Sequence, residues 1–201
     1  WNITPNLNSK PMRIGLVGFG IASGNGGMNT DICSLASYVT KWLIPTHPTM
    51  NNHDEYIEIA SQSTQIIHCN PRTDSVFEIL LEFFKDIDAI IYVEHPILGS
   101  TYPRFDIVQY AHQHNIKVFG IPMWEWWPRE IKRNWMINTD ALWSVTDFTN
   151  KYLNSLGTIL DASGEKPNWL DNIYGNKWGV NLNDFKFRER TFANEIVFIN
   201  G

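Results

Sequence analysis

Lys117-Val-Phe-Gly-Ile-Pro-Met-Trp-Glu-Trp-Trp-Pro-Arg-Glu130 is the stretch on which the reading of this chain turns. Its first five residues, Lys117–Ile121, form a β-branched and aromatic run closed by Pro122, as expected of a strand buried in a parallel sheet. Trp124, Glu125, Trp126 and Trp127 follow at once. In an open α/β sheet the ligand crevice lies just past the carboxyl ends of the strands. Three indoles and a carboxylate in that place suggest a site for a flat-faced, hydroxylated ligand such as a sugar. The alternative is that the tryptophans fill the core and Glu125 caps the next helix. Four consecutive residues leaving a turn cannot all face inward, which favours the site.

Strand-like and helix-like segments alternate on either side of this stretch. Met12–Gly18, Trp42–Ile44, Thr64–His68, Ala89–Val93 and Ala141–Val145 have the apolar character of strands. The pattern predicts a helix from Asn29 or Thr30 to about Thr40, with Ile32, Leu35, Ala36 and Val39 on one face. It predicts others at Asp74–Lys85, apolar at Val76, Ile79, Leu80, Phe83 and Phe84, at Arg104–His114 and at Arg129–Met136. A further helix starts at Thr146 or Asp147 with Phe148, Tyr152 and Leu156 on its stripe. Residues 51–63 read as loop with a short helix, residues 164–174 as loop and a short strand, and Glu195–Ile199 as one more strand. This alternation implies an α/β fold with a doubly wound parallel sheet.

Length and composition fit one globular domain: 201 residues, 43% hydrophobic and 18% charged, long enough to bury a core. With a net charge of −5 and no Lys/Arg cluster, the footprint of a nucleic-acid-binding protein is missing. Cys33 and Cys69 have neither metal-ligand spacing nor the look of a disulfide framework, so they read as reduced, buried thiols. No apolar run reaches the roughly 18 residues of a membrane span. Residues 1–11 are polar, contain Pro5 and Pro11, and read as a disordered leader rather than a signal peptide. A cytoplasmic protein is the expectation. Asn2-Ile3-Thr4 fits a glycosylation sequon, a pattern short enough to arise by chance.

Three candidate sites follow strands and so should reach one rim of the sheet. The first is the glycine-rich loop Gly18–Gly27 ahead of the first helix. Backbone N–H groups at a helix N-terminus attract anions, and glycine lets a phosphate come close to the main chain. Asn25, Gly26 and Gly27 are the candidate phosphate contacts; the alternative is a tight strand–helix turn with no ligand. The second is Glu94-His95-Pro96, where a histidine beside a carboxylate can exchange protons near neutral pH. A surface or hydrogen-bonded histidine is the plainer reading. The third is the Trp-rich turn, where indole faces can stack on sugar rings and Glu125 can accept hydrogen bonds from hydroxyls or act as base. His47, His53, His68, His112 and His114 show no ligand pattern and read as structural or solvated. No metal site is evident.

Gly18-x-Gly20-x-x-x-Gly24 after a first strand approaches a dinucleotide fingerprint. That motif needs an acid at the end of strand two to hold the ribose. No acid occurs between Asp31 and Asp54, and Ser23 stands where the third glycine belongs. A nicotinamide or flavin enzyme is therefore a weak reading. A P-loop is excluded by the missing Gly-Lys-Ser/Thr.

From roughly Met12 to Gly201 the chain resembles the N-terminal, acceptor-binding domain of a GT-B glycosyltransferase, of the group that includes glycogen synthase-like and mannosyltransferase enzymes. Gly26-Gly27 before a helix matches that family's Gly-Gly loop, and Glu94-His95-Pro96 falls where relatives carry a His-x-His-acid-Pro pattern, here with acid and histidine reordered. Trp124-Glu125 occupies the next strand end. Asp140-Ala-Leu-Trp-Ser-Val-Thr-Asp147 resembles the strand and turn before the domain's last helix. Trp178-Gly-Val-Asn-Leu-Asn-Asp-Phe185 is similar to the Asn-Gly-Val-Asp-x-x-x-Phe segment at the interdomain crossing.

The resemblance implies a Rossmann-like N-terminal domain over residues 12–190, with residues 191–201 opening a donor-binding domain whose remainder lies beyond Gly201. The chain then reads as a fragment, inactive alone, of an enzyme that moves a sugar from a nucleotide-sugar donor to a hydroxylated acceptor, whether glycan, lipid or small molecule. Asn25, Gly26 and Gly27 would lie near the donor diphosphate, Glu94, His95 and Glu125 would carry the chemistry, and Trp124, Trp126 and Trp127 would hold acceptor or sugar. No cofactor beyond the donor is implied, and a peripheral membrane contact is compatible with it. The competing readings are a non-catalytic carbohydrate-binding module built on the Trp platform, a nucleotide- or dinucleotide-binding Rossmann enzyme, and a sugar-phosphate isomerase or epimerase on a related sheet.

Overall fold

The computed structural model describes residues 11–18, 28–29, 32–33, 36, 38–45, 62–70, 74–94, 96–98, 105–122 and 134–175. Seven parallel strands form one sheet: β1 (Ile14–Val17), β2 (Val39–Pro45), β3 (Gln65–Cys69), β4 (Ala89–Val93), β7 (Lys117–Ile121), β8 (Ala141–Ser144) and β9 (Ile173–Gly175). Their spatial order is β3-β2-β1-β4-β7-β8-β9. The chain thus winds outward from β1 in one direction, returns to β4 on the other side of β1, and winds the opposite way. This is the doubly wound α/β architecture, Rossmann-like in its order, and it makes the β1–β4 boundary the topological switch point. A two-stranded antiparallel pair, β5 (Ile97–Leu98) and β6 (Phe105–Asp106), follows β4.

Alternation along the strands sends apolar side chains to both faces of the sheet. Val17, Leu43, Tyr92, Val118 and Leu142 face one cluster, completed by helices α1 (Val76–Phe84), α2 (Ile107–Gln113), α3 (Asn134–Asn138) and α4 (Asp147–Ala162). Leu16, Trp42, Ile44, Val93 and Ile121 face the other, with Ile32, Cys33 and Ala36 from the segment after the glycine-rich loop. Residues 28, 29, 32 and 33 are helical. Burial on both faces explains why the central strands read as unbroken apolar runs.

Three expectations from the sequence need correction. The first helix does not reach Thr40: Val39 and Thr40 already belong to β2, which is longer than Trp42–Ile44. Val39 is buried as a strand residue, and a buried valine satisfies either period. Within 104–114, Phe105 and Asp106 are not helical but pair with Leu98 and Ile97, and the helix begins at Ile107 with the Asp106 carboxylate capping Gln109 N–H at 3.1 Å. The buried stripe of α4 is Thr149, Leu153, Leu156, Gly157 and Leu160, whereas Phe148 is 62% exposed. The expected strand at Glu195–Ile199, the segment 178–185 and the boundary at residues 190–191 lie outside the described residues.

Charged groups pin the amino edge of the sheet, opposite the switch-point crevice. Asp88, just before β4, accepts the Arg13 N–H at 2.8 Å ahead of β1. Asp140, just before β8, accepts the Val118 N–H of β7 at 2.8 Å. Lys41 is only 9% exposed; its ammonium donates to the Glu82 and Lys85 carbonyls at the end of α1, which lack intrahelical partners. A cation against the negative end of a helix dipole is stabilised there.

Candidate functional site

The switch point is built by strands of unequal reach. Val17, the last residue of β1, lies beside Leu43 of β2 and Tyr92 of β4. β2 continues to Pro45 and β4 to Val93, two residues and one residue past the partners of Val17, and this step at the carboxyl edge is the β1–β4 notch. Gly18 begins the exit from β1 on one side of that notch, and Glu94 ends β4 on the other.

Gly18 is held on three sides. Its N–H donates to Leu43 O at 3.2 Å, extending the ladder by one residue. Its carbonyl accepts the Trp42 indole N–H at 3.1 Å. A Cβ at this position would fall 2.5 Å from Asn29 Nδ2, so a larger residue would have to displace that carboxamide. Trp42 and Asn29 are both fully buried.

Glu94 continues the β4–β7 ladder with its N–H on Ile121 O at 2.9 Å, and then turns into the left-handed region at φ 74°. A non-glycine residue pays about 1–3 kcal/mol for such a conformation, and residues held this way cluster at functional sites. Glu94 as a residue is half-buried.

Further along the edge, Ser144 donates to Thr146 O at 3.2 Å, and Thr146 caps α4 by accepting the Thr149 N–H at 3.0 Å. With Asp147 in its first turn, this helix N-terminus is served by the protein's own oxygen and carboxylate.

Of the residues singled out from sequence, Glu94 is described and stands at the switch point. His95, Asn25, Gly26, Gly27, Trp124, Glu125, Trp126 and Trp127 lie outside the described residues. The strands that lead into the three candidate stretches, β1, β4 and β7, are immediate neighbours with their carboxyl ends on one edge. Sequence reasoning missed Trp42 and Asn29. Trp42 read simply as a strand residue and Asn29 as a helix start, and nothing in either position announces a partner far along the chain.

Of the other reactive groups, Cys69 ends β3 on this same edge, two strands away from β1. Cys33 and Cys69 are free and buried, and burial pushes each thiol up to about 11. His112 pairs with Asp140 at 2.9 Å on the amino edge. Among the described residues no group of three His, Cys, Asp or Glu could hold a metal ion, and no helix is long and apolar enough to cross a membrane. The chain has no significant match to any protein-family model, curated protein or solved structure.

Proposed function

We propose that this chain is the acceptor-binding part of a glycosyltransferase that moves a sugar from a nucleotide-sugar donor to a hydroxylated acceptor. The observation that carries the reading is the placement of Gly18 and Glu94 on either side of the β1–β4 notch, where doubly wound sheets bind their ligands. The ordered motifs that resemble the GT-B family supply the substrate class. In this reading the glycine-rich loop, through Asn25, Gly26 and Gly27, donates backbone N–H groups to the donor diphosphate. The acceptor hydroxyl attacks the anomeric carbon, the bond from that carbon to the diphosphate oxygen breaks, and the diphosphate leaves with the electron pair. N–H groups aimed at that leaving group stabilise the charge as it develops. Glu94, His95 and Glu125 are the groups that would take the hydroxyl proton, and Trp124, Trp126 and Trp127 would stack on sugar rings.

The dinucleotide alternative loses ground on β2. That strand ends at Pro45, and its carboxyl end offers Ile44 and Pro45 where a ribose-binding acid would stand. Transfer is tested by expressing the open reading frame that contains these residues and assaying a panel of labelled nucleotide sugars against sugar acceptors. Gly27→Val should abolish transfer and spare acceptor binding. If instead Trp126→Ala or Trp127→Ala removes sugar binding while Gly27→Val changes nothing, the carbohydrate-binding module is the better account.

A further inference from the structure

We infer that Glu94 is a ligand-binding residue whose carboxylate accepts hydrogen bonds from the hydroxyls of an uncharged sugar; this rests on the reading of the β1–β4 notch as the ligand site. Four described residues have a left-handed backbone: Asp86 at φ 63°, Glu94 at φ 74°, Asn115 at φ 58° and Gly164 at φ 85°. Three of them close helices. Asp86, Asn115 and Gly164 each stand one residue past the C-cap, of α1, α2 and α4 respectively, where a left-handed residue commonly ends a helix. Beside Asn115, the Ile116 N–H donates to Ala111 O at 3.0 Å, and beside Gly164 the Glu165 N–H donates to Leu160 O at 2.9 Å. Such bonds serve carbonyls that a helix end leaves open. The residue types fit as well, since glycine, asparagine and aspartate enter this region most readily.

Glu94 has neither reason. It follows a strand, so its conformation closes no helix, and glutamate is not among the residue types enriched in this region. Its backbone is nevertheless fixed from both sides. The Glu94 N–H donates to Ile121 O at 2.9 Å, and two residues on Pro96 O accepts the Ile107 N–H at 3.2 Å, which ties the turn to the start of α2. Glycine would take this backbone without steric cost. A glutamate that stands here against that preference is explained by what its side chain contributes. An ionised carboxylate only accepts hydrogen bonds, at about four lone-pair sites. It therefore recognises O–H donors and repels phosphate. The charge makes each such bond about twice as strong as a neutral one. The β4 side of the notch is accordingly the place of the neutral, hydroxyl-bearing part of the ligand, which in a sugar transfer is the acceptor.

The test compares wild type, Glu94→Gln and Glu94→Gly in the whole chain, with two readouts. Thermal unfolding reports on the fold; NMR titration of the isotopically labelled chain with glucose, mannose and galactose reports on binding. In wild type at least one hexose should shift the Val93 and Glu94 amides. Glu94→Gln keeps the shape and the left-handed backbone but removes the charge, so it should keep the wild-type midpoint and bind that hexose about tenfold more weakly. Glu94→Gly should bind it no better than Glu94→Gln, yet unfold about 2 °C higher, because the strain is relieved. A midpoint lowered in Glu94→Gly assigns the side chain to the fold and overturns the inference. Hexose binding at wild-type strength in Glu94→Gln overturns it too, and leaves the notch as the ligand site. If no hexose moves these amides in wild type, the inference falls. The reading of the notch then stands only if nucleotide sugars still shift Gly18, and falls with the inference if they do not.

Discussion

Asp140 gathers three donors onto one carboxylate: Val118 N–H at 2.8 Å, His112 Nε2 at 2.9 Å and Lys117 Nζ at 3.1 Å. Burial alone would raise its pKa, but the hydrogen bonds from His112, Val118 and Lys117 outweigh burial and hold it below the usual carboxylate range. A carboxylate depressed in the folded state contributes stability that is complete above its unfolded value, near 3.9, and is lost as pH falls through the folded value. Asp140→Ala leaves the Val118 N–H without its acceptor and should cost about 1–3 kcal/mol in urea unfolding at neutral pH. The gap between wild type and variant should narrow below about pH 4; a gap that stays constant down to pH 2 contradicts this account. The thiols give a second check at this scale. Thiolate is the reactive form, and both cysteines are buried with raised pKa values. Iodoacetamide at pH 8 should leave Cys33 and Cys69 unmodified in the native chain and alkylate both in urea, as read by intact mass.

Helix α4 shows how packing reverses a local propensity. Alanine at a helix interior is normally favoured over glycine by about 1 kcal/mol. At residue 157, however, a Cβ would meet Leu170 Cδ1 at 2.5 Å and Trp169 Cζ3 at 2.9 Å. Trp169 is fully buried and its indole donates to Met136 O at 2.7 Å, so it has little room to retreat. Overpacking of this kind costs about 1–3 kcal/mol, and Gly157→Ala should lower the thermal midpoint; a higher midpoint contradicts the contact. The same element shows why its face was misread. Scoring apolarity selects Tyr152, which does pack against the core, and Phe148, which is exposed, but it passes over Thr149 and Gly157, whose small side chains allow close approach on the buried side. Thr149 is buried and hydroxyl-bonded to Thr146, a pairing that follows from the cap rather than from hydropathy. β2 posed the opposite difficulty: Val39 suits a helical stripe as well as a strand, and only its pairing beside Ile14 decides between them.

At the scale of the whole molecule, the sheet could be read from its strands. Ala89–Val93 and Lys117–Ile121 stand where the sequence places them, because strands buried on both faces carry a continuous apolar signal. Strand order could not be read that way. That β1, β4 and β7 are neighbours, so that three separate stretches leave one edge together, depends on pairings between residues far apart in the chain. Of the candidate site, sequence pointed to Glu94 but not to its left-handed backbone, and it did not point to Trp42 or Asn29. Those roles arise from contacts between elements rather than from any local pattern. The central claim is that the β1–β4 notch is where this protein meets its ligand. It is tested most directly by titrating the isotopically labelled chain with a panel of nucleotide sugars and following every backbone amide by NMR. The account predicts that the shifts concentrate on Gly18–Asn29 and Glu94, with β9 and the outer face of α4 unmoved. Shifts confined to residues far from that notch, or none with any donor, would contradict it.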